Sequence, residues 1–227
     1  MDLTVAMITL NEQQAVGSVV RAIAQVVPDA EILVVDSSTD RTAEIAESLG
    51  ARVIKQYPPI GYGPAMDLAL RSGSGSVVVT LDCDDTYPCE MIPVLRDMVL
   101  RDGWDVVDGD RLAGKPKAMA WPNYVANRLL ATFASVLFRT RLRDLHSGMR
   151  AYRRSVLAQL PYEPKGAALP VELLLLPIRL GFRVTTVPIA YRFRLGESTM
   201  RPLDTIRWSV RRILRVRRGA GRRAVSA

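Results

Sequence analysis

Over its first hundred residues the chain alternates short β-branched runs with segments of helical period, and this alternation restricts the fold more than any other feature. Leu3–Thr9 and Glu31–Val35 read as strands, and Glu12–Val26 and Arg41–Leu49 as helices. Asn11 is placed to cap the first helix and Gly50 to close the second. Arg52–Gln56 is a third strand, Tyr57–Pro64 a Pro/Gly loop, Ala65–Arg71 a helix and Val77–Leu81 a fourth strand of the apolar kind that parallel sheets bury. Further on, Asp105–Val107 reads as a strand, Asn123–Phe138 as a helix, and Ala151–Leu160 as strand then helix. Leu169–Leu180 is helical and Arg183–Ile189 a strand. The pattern predicts one α/β domain over residues 1–200, with a mostly parallel central sheet and flanking helices. In such sheets ligands bind beyond the carboxyl ends of the strands. The segments there are Thr9–Glu12, Asp36–Asp40, Tyr57–Pro64 and Asp82–Pro88.

Composition narrows the chemistry. The two cysteines, Cys83 and Cys89, cannot build a disulfide framework or a four-ligand zinc site and read as small buried hydrophobes, and His146 is the sole histidine. The start lacks the basic and apolar regions of a signal peptide, and no uncharged apolar run reaches the ~18 residues of a membrane span, so a cytoplasmic location is expected. The net charge of +8 belongs to one end: residues 1–200 carry 22 basic and 22 acidic groups, whereas residues 201–227 carry nine arginines and Asp204. A nucleic-acid-binding body is therefore not expected. In the tail, Leu203, Ile206, Val210, Ile213 and Leu214 fall on one helical stripe, and Arg207, Arg211, Arg212 and Arg215 on another. Residues 201–218 thus read as a basic amphipathic helix, either lying on an anionic membrane or docked on the domain, and residues 219–227 as a disordered tail. The apolar stretches at 124–138 and 167–176 could widen an interfacial surface.

The densest chemical signal is Asp82-Cys-Asp84-Asp85-Thr86, directly after the buried strand. Carboxylates at i and i+2 on an extended turn can converge on a hard cation, and magnesium or manganese needs only one or two of them beside substrate phosphates. Opening the helix that follows is the alternative role.

These motifs, taken in order, resemble the family 2 glycosyltransferases of GT-A-type fold, and within them the dolichol- or polyprenyl-phosphate sugar synthases. The resemblance rests on Asn11-Glu12 after the first strand, the Asp36–Thr42 run and the Asp82-x-Asp84 pair. It continues through Gly61-Tyr-Gly63-Pro-Ala65, Gly109-Asp-Arg111, Asp144-Leu-His-Ser147-Gly148-Met-Arg150, Glu172, and Val187 through Ser198. It implies a metal-dependent, inverting transfer of sugar from a nucleotide-diphosphate sugar to a polyprenyl phosphate at the inner membrane face. Leu10, Asn11, Glu12, Asp36, Gly63, Asp82 and Cys83 would bind the donor, and Asp82 and Asp84 would carry Mg²⁺ or Mn²⁺. Thr86 stands where many relatives have glutamine and stays outside the metal shell. Arg111, Arg150, Arg194 and Ser198 would meet the acceptor phosphate. Asp84, Asp144 and Arg111 form the implied catalytic set, Asp144 orienting sugar hydroxyls or acting as a base. His146 either touches the diphosphate or metal or is a surface histidine. A soluble hydroxylated acceptor and a non-catalytic nucleic-acid module are the rival readings, and a homo-oligomer is left open.

Overall fold

The computed structural model describes residues 1–193 and 202–219, so Arg194 and Ser198 lie outside the described residues. Seven strands, β1 (Leu3–Thr9), β2 (Glu31–Asp36), β3 (Arg52–Lys55), β4 (Val77–Thr80), β5 (Val106–Asp110), β6 (Arg150–Arg153) and β7 (Val184–Pro188), form one sheet. Their order is β3-β2-β1-β4-β6-β5-β7. The helices are α1 (Val16–Val26), α2 (Thr42–Ser48), α3 (Tyr62–Ser72), α4 (Ile92–Leu100), α5 (Trp121–Phe138), α6 (Arg154–Leu157), α7 (Leu169–Leu180) and α8 (Pro202–Arg218).

Strand alternation divides the core. Val5 and Met7 of β1 point to one side, where they meet Val20 and Ile23 of α1 and Leu95 and Val99 of α4. Ala6 points to the other side, into a second cluster with Leu70 of α3, Ala131 of α5, and Leu174 of α7.

The first half follows the sequence reading closely, with two exceptions. Asn11 does not cap α1, which begins at Val16 behind Ala15. Asn11 instead adopts a left-handed backbone (φ 60°) and its Oδ1 accepts the Thr39 amide at 3.0 Å. α3 starts three residues before the expected Ala65, taking Gly63 and Pro64 into its first turn, where no intrahelical N–H partner is required. A side chain at Gly63 would meet the Lys165 backbone at 2.8 Å.

In the second half, β6 is antiparallel to both β4 and β5, whereas every other pairing is parallel. This reversal matters for function. The first residue of β6, Arg150, is aligned with Thr80 at the end of β4 and with Asp108 near the end of β5. The turn preceding β6, residues 144–149, therefore arrives at the sheet edge where the Asp82–Asp85 turn leaves β4.

α7 is buried from Leu169 to Pro177, so the stretch at 167–176 belongs to the core and not to an interfacial surface. α8 packs on α5 and α7, with Ile213 and Val216 at 0% and 1% exposure. Ile213 of the stripe thus faces the domain, as in the docked-helix alternative, while Ile206, Val210 and Leu214 are half-buried, the side chain of Leu203 lies outside the described residues, and Arg207, Arg211, Arg217 and Arg218 face outward. Among the described residues no helix is long and apolar enough to cross a membrane.

Gly75 marks a close approach between chain segments. A Cβ there would lie 2.5 Å from the backbone of Leu3 and Thr4. Gly75→Ala is expected to lower stability by about 1–3 kcal/mol, read as a lower urea midpoint with an unchanged m-value.

Candidate active site

The floor of the site is the turn after β4. Asp84 is 3% exposed, and its Oδ1 accepts both the Thr86 amide at 3.2 Å and the Thr86 hydroxyl at 2.6 Å. Thr86 thus orients the Asp84 carboxylate. Asp85 holds a left-handed conformation (φ 62°), a strained geometry for a residue with a side chain and one concentrated at functional sites.

Asp82 lies against bare backbone. A Cβ at Gly148 would come within 2.7 Å of its Oδ2, so glycine lets the 144–149 turn approach this carboxylate where a larger residue would push the carboxylate aside. The Gly148 amide donates to the Tyr87 hydroxyl at 2.7 Å, locking that approach. The arrangement fits a hard divalent cation: two carboxylates two residues apart, one oriented by a threonine and one cradled by a glycine. Among the described residues there is no group of three or more His, Cys, Asp or Glu that could hold a metal ion.

Arg111 and Asp144 form a second unit. Arg111 follows β5, and its Nε and Nη2 donate to Asp144 Oδ2 and Oδ1 at 2.7 and 2.9 Å. The pair is buried, with side-chain exposures of 9% and 0%. Burial pushes the Asp144 carboxyl up, but Arg111, followed by the His146 amide, outweighs it and holds the group below the usual carboxylate range. The guanidinium also stands over the Tyr191 ring at 5.3 Å, and Tyr191 meets Tyr87 edge to face at 5.8 Å. An aromatic wall therefore connects the ion pair to the acidic turn. Both tyrosines lie within segments that the sequence marks, Asp82–Pro88 and Val187–Ser198, but neither is itself expected at the site. At Tyr87, burial and then the neighbouring Arg111 and Asp82 act on the phenol, with a net rise far above its ordinary value.

The donor-side segments are also assembled. The Asn11 amide donates to Ser38 Oγ at 2.7 Å and the Glu12 amide to Thr42 Oγ1 at 2.9 Å, so the loops after β1 and β2 form one surface. Asp36 is 4% exposed and already accepts the Thr9 and Ser38 hydroxyls, both at 2.6 Å. Leu10 is 46% exposed, and Cys83 is buried, its thiol raised mainly by burial. Gly63 sits in the first turn of α3, one residue after Tyr62, whose phenol is raised by burial and then by Asp82.

Two expectations need correcting. Arg150, expected at an acceptor phosphate, is 1% exposed: its Nε donates to Asp108 Oδ1 at 2.7 Å and its Nη1 to the Pro170 carbonyl at 2.8 Å. The sheet interior occupies it. His146 is half-buried and not a plain surface histidine: its Nε2 shares a 2.6 Å hydrogen bond with Ser209 of α8.

Known proteins resemble this chain in sequence and in fold. A family model described as glycosyl transferase family 2 matches residues 4–160. The chain belongs to that family. Over 202 residues it is 44% identical to a dolichyl-phosphate hexose transferase of Haloferax volcanii, covering 88% of this chain and 87% of the relative. A polyprenol monophosphomannose synthase of Mycolicibacterium smegmatis is 31% identical over 85% of this chain and 78% of its own. Among solved structures, glucosyl-3-phosphoglycerate synthase from Mycobacterium tuberculosis, in complex with Mn²⁺, uridine-diphosphate-glucose and phosphoglyceric acid, superposes with a TM-score of 0.75 at 26% identity. The match covers 95% of this chain and 79% of that one. The protein is thus a glycosyltransferase, and its mixed seven-stranded sheet with flanking helices matches neighbours of GT-A-type fold.

Two outcomes follow for this transferase. Arg150→Met leaves Asp108 buried without its partner and is expected to cost about 3–5 kcal/mol, with much of the loss recovered by adding Asp108→Asn; equilibrium unfolding of the two variants measures both. Burial lowers the His146 pKa from 6.5 to about 4, outweighing Asp144, which raises it, while Arg111 and Arg150 lower it further. Between these values the unfolded chain binds a proton that the folded one refuses, so stability falls as pH drops from 6.5 towards 4. His146→Gln should flatten that part of the stability–pH curve relative to the parent.

Proposed function

We propose that the enzyme transfers a sugar, with inversion, from a nucleotide-diphosphate sugar to a polyprenyl phosphate at the cytoplasmic face of a membrane. The observation that carries this reading is the meeting of the Asp82–Asp84 turn with the Arg111–Asp144 pair through Gly148, Tyr87 and Tyr191. The near full-length likeness to a transferase named for dolichyl phosphate supports the choice of acceptor.

Asp82 and Asp84 would hold Mg²⁺ or Mn²⁺, which supplies Lewis-acid stabilisation of the leaving nucleoside diphosphate. The loops carrying Leu10, Asn11, Glu12 and Asp36 would seat the nucleoside. A lipid monophosphate has a second pKa near ~6 and is already largely dianionic at neutral pH. It needs positioning opposite the leaving group more than it needs a base. Asp144 suits that demand: held ionised by a bidentate arginine, it orients Arg111 and is a poor proton acceptor. The Arg111 guanidinium, kept charged and fixed by Asp144 and Tyr191, is the cation this reading assigns to the reacting phosphates. Arg194 and Ser198 remain proposed acceptor contacts on sequence resemblance alone.

Membrane attachment has its own support. An apolar groove of about 660 Å³ runs between α5 and α8, with Trp121, Leu129 and Phe133 on one wall and Ile206 and Val210 on the other. Trp121 and Leu129 are 65% and 66% exposed, beside a helix presenting outward arginines. Lipid-phase apolar contact with flanking cations is the pattern of interfacial binding. A second reading, transfer to a small soluble phosphorylated acceptor, is favoured by the solved structure holding phosphoglyceric acid.

The deciding assay mixes the enzyme, Mn²⁺ or Mg²⁺ and a panel of labelled sugar nucleotides with either a polyprenyl phosphate or phosphoglycerate. Label is expected in the lipid phase. Asp84→Asn should lower turnover about a thousandfold, as loss of several kcal/mol of charge stabilisation implies. Label only in the soluble product would select the second reading, and parent-like turnover by the Asn variant would remove Asp84 from the site.

A further inference from the structure

The turn that carries Asp144 is tied to α8 by a contact that the transfer reaction as described does not use. His146 Nε2 and Ser209 Oγ are 2.6 Å apart, and Ser209 is fully buried. Two residues back, the His146 amide donates to Asp144 Oδ1 at 3.0 Å, the same oxygen that receives Arg111 Nη2. Two hydrogen bonds, joined by the covalent frame of His146, therefore link α8 to the carboxylate that fixes Arg111. Asp144 also accepts the Arg111 amide, at 3.4 Å on Oδ2, so both ends of that arginine depend on where the turn sits.

A residue present only to fill space would not be an imidazole here. His146 Nδ1 is buried and has no hydrogen-bond partner among the described residues. Leaving such an atom unpaired costs on the order of 1–3 kcal/mol, which an apolar side chain of similar size would avoid. The ring is neutral at pH 7, because burial lowers its pKa to about 4, so its use lies in direction and not in charge. α8 has firm supports elsewhere: Arg212 pairs with Glu172 of α7, Arg179 donates to the Val216 carbonyl at 2.6 Å, and Ile213 and Val216 are buried. Holding α8 does not require the His146 bond. What the bond adds is a fixed position for the 144–149 turn.

We infer that His146 is a positioning residue, and that Ser209 of α8 sets the Asp144–Arg111 pair through it. α8 is therefore part of the active-site scaffold as well as a surface helix. Ile206 and Val210, which line the α5/α8 groove, flank Ser209 in sequence, so whatever occupies that groove bears on the helix that orients Arg111. The inference rests on the reading that Arg111 meets the reacting phosphates.

The test uses the full chain and three variants, Ser209→Ala, His146→Leu and His146→Gln, with two readouts. Backbone hydrogen exchange, which needs no substrate, should show faster exchange over residues 144–150 in Ser209→Ala and His146→Leu, while 206–218 keep their protection. Transfer kinetics should show kcat lowered about 10–100-fold, the range for residues that orient a site group, with donor KM unchanged. His146→Gln, which retains a hydrogen-bonding group at comparable reach, should recover most of both. Unchanged exchange over 144–150 would overturn the inference. So would loss of protection throughout α8, which would make the bond a docking contact only, or failure of His146→Gln to recover. If the parent enzyme transfers no sugar to any acceptor, the functional reading fails by itself and the exchange result alone decides the coupling.

Discussion

Arg150 and Asp108, each 1% exposed, form an ion pair where the one reversed strand meets β5, and the position of the active site depends on it. A buried pair is poor evidence for stability, since desolvation offsets much of the attraction. Its effect here is on register. Thr80, Arg150 and Asp108 stand in one row across β4, β6 and β5, and the same guanidinium reaches the Pro170 carbonyl at the start of α7. A slip of β6 by one residue would move Arg150 to the opposite face and strand two buried charges. Several kcal/mol therefore stand against every alternative pairing, and the turn before β6 is delivered to one place. That place is beside Asp82.

From that placement the rest of the site follows by contact. Gly148 can touch Asp82 because it lacks a side chain, and Tyr87 holds it there. Asp144, four residues earlier, meets Arg111, which leaves the neighbouring strand β5. Two groups that a linear motif treats as separate functional residues thus become one unit, in which the carboxylate spends its charge on orienting the guanidinium. An aspartate so engaged is badly suited to proton abstraction, and a phosphate acceptor has no need of it. The electrostatics and the acceptor chemistry point the same way.

The first half of the fold was legible in the sequence because parallel strands and their crossover helices are local units with a clear period. Val77–Thr80 and the acids after it could be read from apolar run and turn chemistry alone. The reversal of β6 could not, since Arg-Ala-Tyr-Arg carries no mark of strand direction. For the same reason Arg150 looked like a phosphate ligand: an arginine in a motif and an arginine neutralised across a sheet are identical until the partner strand is known. Tyr87 and Tyr191 stand in segments the sequence marks, but their contact, across more than a hundred residues, gave no signal because it is tertiary. Asn11 misled in a different way. Its preference for helix caps and for left-handed backbone has one cause, a short polar side chain that bonds nearby amides, and here the amide belongs to Thr39 of the neighbouring loop.

The charge at the chain's end is likewise divided by the fold. Arg212 and Arg215 turn inward to Glu172 and Glu163, joining α8 to the acids of the domain, while Arg207, Arg211, Arg217 and Arg218 remain outside. A helix that served only as a membrane anchor would have no use for inward arginines or for a buried serine bonded to a histidine. Both sets fit on one helix because a 3.6-residue period places them on different faces, and on the inward face Ser209 meets His146 of the turn that holds Asp144.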